Sequence, residues 1–429
     1  MNPVEAVIRR HRSGEPVGLT SVCSAHPLVL TSAVRQAAED GGVLLVEATS
    51  NQVDQFGGYT GMTPEAFRDL VTSFAADNGF PEERLVLGGD HLGPNRWARD
   101  EPGSAMAKAD ELVAAYVAAG YTKLHIDCSM RLAGDPERLP DELVAARAAR
   151  LIAVAEQHRP AGAVPPVYVI GTEVPVPGGA HESLGELTPT RPEAARETLR
   201  AHRDALTEVG LAGVWPRIGA LVVQPGVEFD HEKVIDYDRI RTIELQRVLD
   251  TEPAMVFEAH STDYQTRAAL TGLVEDHWVI LKVGPGLTFA LREALFALAR
   301  IEEELVHQGR SDFPKVVERR MIEQPGYWQG YYDGTTDEQR VARRFSYSDR
   351  VRYYLGDPQI VAAQQRLFDN LRRHGIPEPL LSQYLPRQYG RVRAGEIAAD
   401  PEALAIEAVR DVLRDYSAAC TPGRTTIGR

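Results

Sequence analysis

Between residues 16 and 306, short apolar runs rich in β-branched residues alternate with longer stretches of helical periodicity. The runs are PVGLTSVCS (16–24), GVLLVEAT (42–49), RLVLGGDH (84–91), YTKLHIDCS (121–129), PVYVIGTEV (166–174), IGALVVQPG (218–226), AMVFEAHST (254–262) and HWVILKVG (277–284). Between them lie segments such as PLVLTSAVRQAAED, SAMAKADELVAAYVAAG and RPEAARETLRAHRDALTEVG, and LTFALREALFALARIEEEL closes the series. This alternation predicts an α/β fold, a (β/α)8 TIM barrel. Its strands are continuous apolar runs because barrel core and helices cover both faces. A doubly wound open sheet would instead need a Gly-rich phosphate turn after the first strand, and SVCSAHP is not one.

Residues 312–429 break the pattern with helical, aromatic-rich sequence such as YWQGYYDG and RRFSYSDRVRYYLG. We expect a barrel over 1–311 and a helical appendage over 312–429 that packs on the barrel mouth, ending in a loose tail.

Composition narrows the partners. The 429 residues are 43% hydrophobic and 25% charged, as in ordinary globular proteins. A formal charge of −14 argues against nucleic acid or an anionic membrane, so an anionic substrate needs local cations or a metal. Cys23, Cys128 and Cys420 are too few and scattered for a disulfide framework, which fits a reducing compartment. The opening MNPVEAVIRRHRSGEP lacks a signal-peptide core, and no run approaches the roughly 18 to 20 apolar residues that cross a bilayer. A cytoplasmic protein is expected; its oligomeric state is not written in these features.

In a barrel enzyme, chemistry collects at the carboxyl ends of the strands. Here those ends carry polar groups: Glu47 with Ser50, Asn51 and Gln52; Asp90 and His91; Asp127; Glu173; Gln224; Glu258, His260 and Asp263; and Lys282 before Gly284 and Gly286. Each has a plain structural reading. Asp90 could cap its turn, Asp127 and Gln224 could be hydrogen-bonding scaffold, Glu173 a solvated loop residue and Lys282 a surface lysine. Convergence favours chemistry: His91 and His260, with carboxylates or an amide nearby, suit zinc first, or manganese, cobalt or nickel. His125, His181 and His231 have less to recommend them, lying in polar sequence or inside a strand.

The glycine-flanked DH, the GTE after the fifth strand and the AHST after the seventh form a set. With PVGLTSVCSAHPLVL, VEATSNQVDQFGGYTGM, GGDHLGPNRW, KLHIDCSM and FSYSDRVRYY, the chain resembles the family of the non-catalytic Z subunit of class II D-tagatose-1,6-bisphosphate aldolase. Relatives in that family act as ketose or ketose-6-phosphate 4-epimerases. More distantly, Asp90-His91 is similar to the Asp-His pair of class II aldolases. That likeness implies proton transfer at a C4 hydroxyl by Asp90, and metal binding by His91 and His260. Where those aldolases take a further histidine near the end of strand six, this chain has Gln224-Pro225, so either Gln224 or Glu173 completes the metal sphere or the metal binds weakly.

The expected function is a metal-dependent 4-epimerase interconverting D-tagatose 6-phosphate and D-fructose 6-phosphate by retro-aldol and aldol steps. Asp90 and Glu173 are the proton carriers. Glu47, Ser50, Asn51, Gln52 and Asp127 would bind hydroxyls, and Lys282, Gly284, Gly286 and Arg350 the phosphate. No nicotinamide motif or Walker A loop is present. Two alternatives stand beside this reading: a non-catalytic stabilising partner of a class II aldolase catalytic subunit, and a 4-epimerase of a free ketohexose or uronate.

Overall fold

A computed structural model describes residues 2–172 and 187–421. The barrel strands are β1 Leu19–Val22, β2 Leu44–Thr49, β3 Leu85–Leu92, β4 Lys123–Ile126, β5 Val167–Ile170, β6 Ile218–Val222, β7 Val256–Ala259 and β8 Trp278–Val283. Each falls inside one of the predicted apolar runs, except that β3 continues one residue past its run to Leu92. All pair in parallel, and β1 joins β8 with Leu19 opposite Ile280, closing the cylinder. A TIM barrel with additional C-terminal helices is the result.

Helices cover the outside, and their starts are written locally. Thr63 caps Pro64–Asp77 by accepting from Ala66 N–H, and proline occupies the first turn, where no backbone N–H is needed. Sequence periodicity did not isolate two elements. The helix Pro3–Arg12 closes the barrel floor, with Val4, Val7 and Ile8 among Val17, Leu45, Val86, Val167, Val256 and Val279. A two-stranded hairpin, Glu228–Phe229 with Val234–Ile235, follows β6.

Strand side chains alternate, so positions two apart share a face. Along β2, Leu45 in the apolar floor is followed by Glu47; along β7, Val256 by Glu258; along β8, Ile280 by Lys282. The interior therefore changes from apolar to ionic on the way up. Lys123 Nζ bonds Glu47 at 2.9 Å and Glu258 at 2.6 Å, all three side chains fully buried. Buried charges persist only when paired in this way.

The residues beyond 311 do two things. Near the mouth, Tyr347 N–H donates to His231 O at 3.1 Å, and the Tyr264 and Thr288 hydroxyls donate to Tyr347 O at 2.5 Å and Asp349 Oδ2 at 2.6 Å. Farther along, the helix Pro401–Cys420 returns to the wall and packs against Pro27–Asp40, Arg267–Glu275 and Pro285–Leu305. Cys420 O accepts from Gly18 N–H at 2.8 Å, and Tyr416 OH donates to Thr262 O at 2.7 Å.

Candidate active site

The glycines of GGDHLGP make room for the site. A Cβ on Gly88 would lie 2.6 Å from Glu47 Cγ, and one on Gly93 would lie 1.8 Å from Asp127 O. Between them the backbone turns sharply, and His91 takes φ of +50°, a left-handed conformation that costs a non-glycine residue on the order of 1 kcal/mol. The turn lets Asp90 and His91, adjacent in sequence, both contribute to one cluster.

Three imidazoles meet there. Ring centroids of His91 and His125 are 4.9 Å apart, those of His91 and His260 5.0 Å, and those of His125 and His260 5.0 Å. Each ring is oriented by a carboxylate. His91 Nδ1 donates to Asp127 Oδ2 at 2.7 Å, His125 Nδ1 to Asp90 Oδ1 at 2.8 Å, and His260 Nε2 to Glu258 Oε1 at 2.9 Å. One nitrogen per ring remains for something else, and buried His125 Nε2 has no hydrogen-bond partner among the described residues. Asp90, His91, His125 and His260 offer donor atoms all within 4.8 Å of one another. A buried, unpartnered imidazole nitrogen among two others is what a borderline divalent ion requires, so the residues fit a metal.

Electrostatics separate the rings. Burial, together with nearby Lys282, lowers His260 to about 3, and burial lowers His125 as well, so both are neutral donors at pH 7. Burial also disfavours the charged form of His91, but Asp90 and Asp127 outweigh it and raise that group. Burial alone would raise Asp90, yet His91 and Lys282 hold it well below the usual carboxylate range. Lys282 is ion-paired with Asp90, with Glu47 Oε2 at 3.3 Å and with Glu258 Oε1 at 3.6 Å.

The cavity above the cluster is lined by Asp90, His91, His260 and Lys282, by Asn51, Gln52 and Tyr59 from the β2 loop, and by Asp263, Gly284 and Arg352. It continues into a vestibule of about 380 Å³ bounded by His26, Tyr59, Tyr327, Tyr353 and Tyr354. Asn51, Gln52, Lys282 and Gly284 thus face the cavity. Other expected substrate contacts are occupied by the protein. Glu47 is shut into the ion network, taking Ser21 Oγ at 2.6 Å as well as the two lysines. Ser50 is buried and ties the β2 loop to β3 by donating its backbone N–H to Asp90 O at 3.0 Å, and it is not among the residues lining the cavity. Asp127 accepts from His91, from Asn95 Nδ2 at 2.8 Å and from Ser129 Oγ at 2.6 Å, so it orients the His91 ring. Gly286 N–H is taken by Asp263 Oδ1 at 2.7 Å. Gln224 Oε1 accepts Gly226 N–H at 2.8 Å and Val227 N–H at 3.0 Å in its own turn, leaving the third imidazole to His125. Arg350 donates Nε–H to Tyr327 O at 2.6 Å and stacks over Tyr331, while Arg352, two residues on, reaches the cavity. Glu173 lies outside the described residues, as does His181.

A family model described as D-tagatose-1,6-bisphosphate aldolase subunit GatZ/KbaZ-like matches residues 4–421. The structure is similar to that of a probable tagatose 6 phosphate kinase from Sinorhizobium meliloti 1021, with 51% identity, a TM-score of 0.87, and coverage of 94% of this chain and 100% of the other. Lower similarity extends to the fructose-bisphosphate aldolase of Campylobacter jejuni, at 12% identity and TM-score 0.44 over 85% of this chain and 92% of the other. The YdjI aldolase of Escherichia coli K12 gives 12% and 0.40 over 86% and 95%. Among the described residues, no helix is long and apolar enough to cross a membrane.

Proposed function

The chain belongs to the D-tagatose-1,6-bisphosphate aldolase subunit GatZ/KbaZ-like family, and from that premise we propose that it is itself a metal-dependent ketose 4-epimerase. D-Tagatose 6-phosphate and D-fructose 6-phosphate are the pair it interconverts. The observation that carries this reading is the triad of carboxylate-oriented imidazoles beside Asp90. A subunit kept only to stabilise a partner has no physical need to bury these groups together, since each costs free energy unless it is paired.

His91, His125 and His260 are the residues that would hold the ion, zinc in the first place. A divalent ion there supplies Lewis acidity toward a carbonyl oxygen. The chain does the rest. Asp90, kept ionised by its cationic neighbours, takes the proton of the C4 hydroxyl. The C3–C4 bond breaks, and its electron pair passes to C3, shared with the C2 oxygen as an enediolate. The C4 aldehyde stays in the cavity, turns over, and is attacked by C3 on its opposite face. A proton returns to O4, which leaves C4 inverted with no net change in atoms or electrons. Glu173 is assigned that second proton transfer by its sequence position after β5. Asn51 and Gln52 hold hydroxyls.

The test is to incubate the purified protein, alone, with D-tagatose 6-phosphate, with and without a chelator. Formation of D-fructose 6-phosphate that chelation abolishes is expected. No product with any added divalent ion would instead favour the partner-subunit role that the family description suggests. Asp90→Asn should end turnover with the ion still bound, whereas His91→Ala should lose the ion.

A further inference from the structure

Among the described residues, the cavity lining includes one lysine and one arginine, Lys282 and Arg352, and they differ in what surrounds them. Lys282 is matched to Asp90, Glu47 and Glu258 and has no charge to spare. Arg352 is the opposite case. One Nη1 serves the carbonyls of Ser348 and Asp349, the latter at 3.2 Å, and Nη2 meets Tyr353 OH at 3.0 Å. No carboxylate among the described residues lies within 4.0 Å of its guanidinium, and its Nε–H has no hydrogen-bond partner there. Arg292, which reaches the same Asp349 whose carbonyl Arg352 meets, is paired with that carboxylate. A guanidinium on a cavity wall, ringed by tyrosines and carbonyl groups, keeps an edge of Nε–H and Nη2–H suited to two oxygens of an anion.

Barrel enzymes often bind phosphate instead at the loops after strands seven and eight, against a helix N-terminus. Here that place is already filled. Asp263 Oδ1 accepts Gly284 N–H at 2.9 Å and Gly286 N–H at 2.7 Å, at the head of the helix Pro285–Leu305. Asp263 is buried on the same cavity wall, so an arriving phosphate would meet a tethered anion where it needs donors.

We propose that Arg352 is the anion-reading residue of this site and that Asp263, by occupying the Gly284–Gly286 turn, removes a second anion position. The substrate is then a ketose bearing one anionic group. A terminal phosphate and a terminal carboxylate share that chemistry; a bisphosphate does not. This rests on the ketose reading above for the choice of sugars, but it is tested by binding alone.

Calorimetric titration of the full chain, metal-loaded and chelator-treated, would compare D-tagatose 6-phosphate, the corresponding ketouronate, free D-tagatose and D-tagatose 1,6-bisphosphate. At least one monoanion should bind about 10-fold or more tighter than both the free sugar and the bisphosphate. Arg352→Gln should erase the advantage over the free sugar, Arg352→Lys should keep part of it, and Asp263→Ser should narrow the gap to the bisphosphate. The ranking of the two monoanions separates phosphate from carboxylate. Binding of the bisphosphate as tightly as the better monoanion, equal binding of the free sugar, or no binding by any of the four overturns the proposal, even if the variants fail to fold. A monoanion preference without turnover would sink the epimerase reading and leave this one standing.

Discussion

Asp127 is the sharpest test of how the imidazoles are held. Its Oδ2 accepts from His91 Nδ1 at 2.7 Å and Asn95 Nδ2 at 2.8 Å, and its Oδ1 from Ser129 N–H at 3.0 Å and Ser129 Oγ at 2.6 Å. In Asp127→Asn the amide has one orientation that keeps His91 aligned, with the oxygen toward His91 and the NH2 toward Ser129. The hydroxyl of Ser129 can rotate to accept, so one backbone bond is lost and the bond to His91 becomes neutral. Losing the charge roughly halves that bond, and metal affinity should fall about 10-fold. Asp127→Ala removes every partner at once and leaves a ring free to rotate, so the loss should approach about 100-fold, or roughly 2.7 kcal/mol. Competition against a chromophoric zinc chelator measures both, with melting temperature as a control on folding. Zinc binding by a folded Asp127→Ala protein within about twofold of wild type would show that Asp127 does not orient a ligand.

Other outcomes follow from single contacts. Gly93→Ala places a Cβ 1.8 Å from Asp127 O and should cost about 3 kcal/mol or more, read from denaturant unfolding. Lys123→Met leaves Glu47 and Glu258 with only the more distant Lys282 between them and should destabilise by about 3 kcal/mol, whereas loss under about 1 kcal/mol would mean Lys282 compensates. Glu228 is raised to about 7, chiefly by burial. Its folded state binds the proton more tightly than the unfolded chain, so the stability it contributes is complete below the ordinary glutamate range and lost as pH rises toward 7. Relative to Glu228→Gln, wild type should therefore lose about 3 kcal/mol across that window, and a pH-independent difference would refute the shift.

The alternation of apolar runs and helices made the barrel legible, because a parallel strand covered on both faces is apolar over most of its length. Most of the cluster was also legible, but His125 and Gln224 exchange places. The signal for His125 was present in KLHIDCS: Lys123, His125 and Asp127 stand two apart, so a strand that points Asp127 at the site points His125 inward too. A histidine inside a strand reads as core only when its neighbours on the same face are apolar, and here they are charged. Gln224 lay after the strand, where a residue two short of Gly226 closes a turn upon itself. Arg350 and Arg352 could not be told apart by sequence. Tyrosines flank both, and only the short turn after Asp349 decides which guanidinium meets the cavity. Asp263 was visible as a strand-end acid, but its pairing with a glycine turn across the mouth depends on tertiary closure.

The return of the helix Pro401–Cys420 to the wall has a consequence for biosynthesis. The slot beside β1 stays empty until residue 420 has left the ribosome, and Gly18 N–H waits for the carbonyl of Cys420. A nascent chain can stack and close its strands in order, but the helical coat beside β1 is completed only when Pro401–Cys420 arrives. A chain cut before residue 401 would thus leave the apolar backs of Pro27–Asp40, Arg267–Glu275 and Pro285–Leu305 uncovered for the proteases, although its strands are all present.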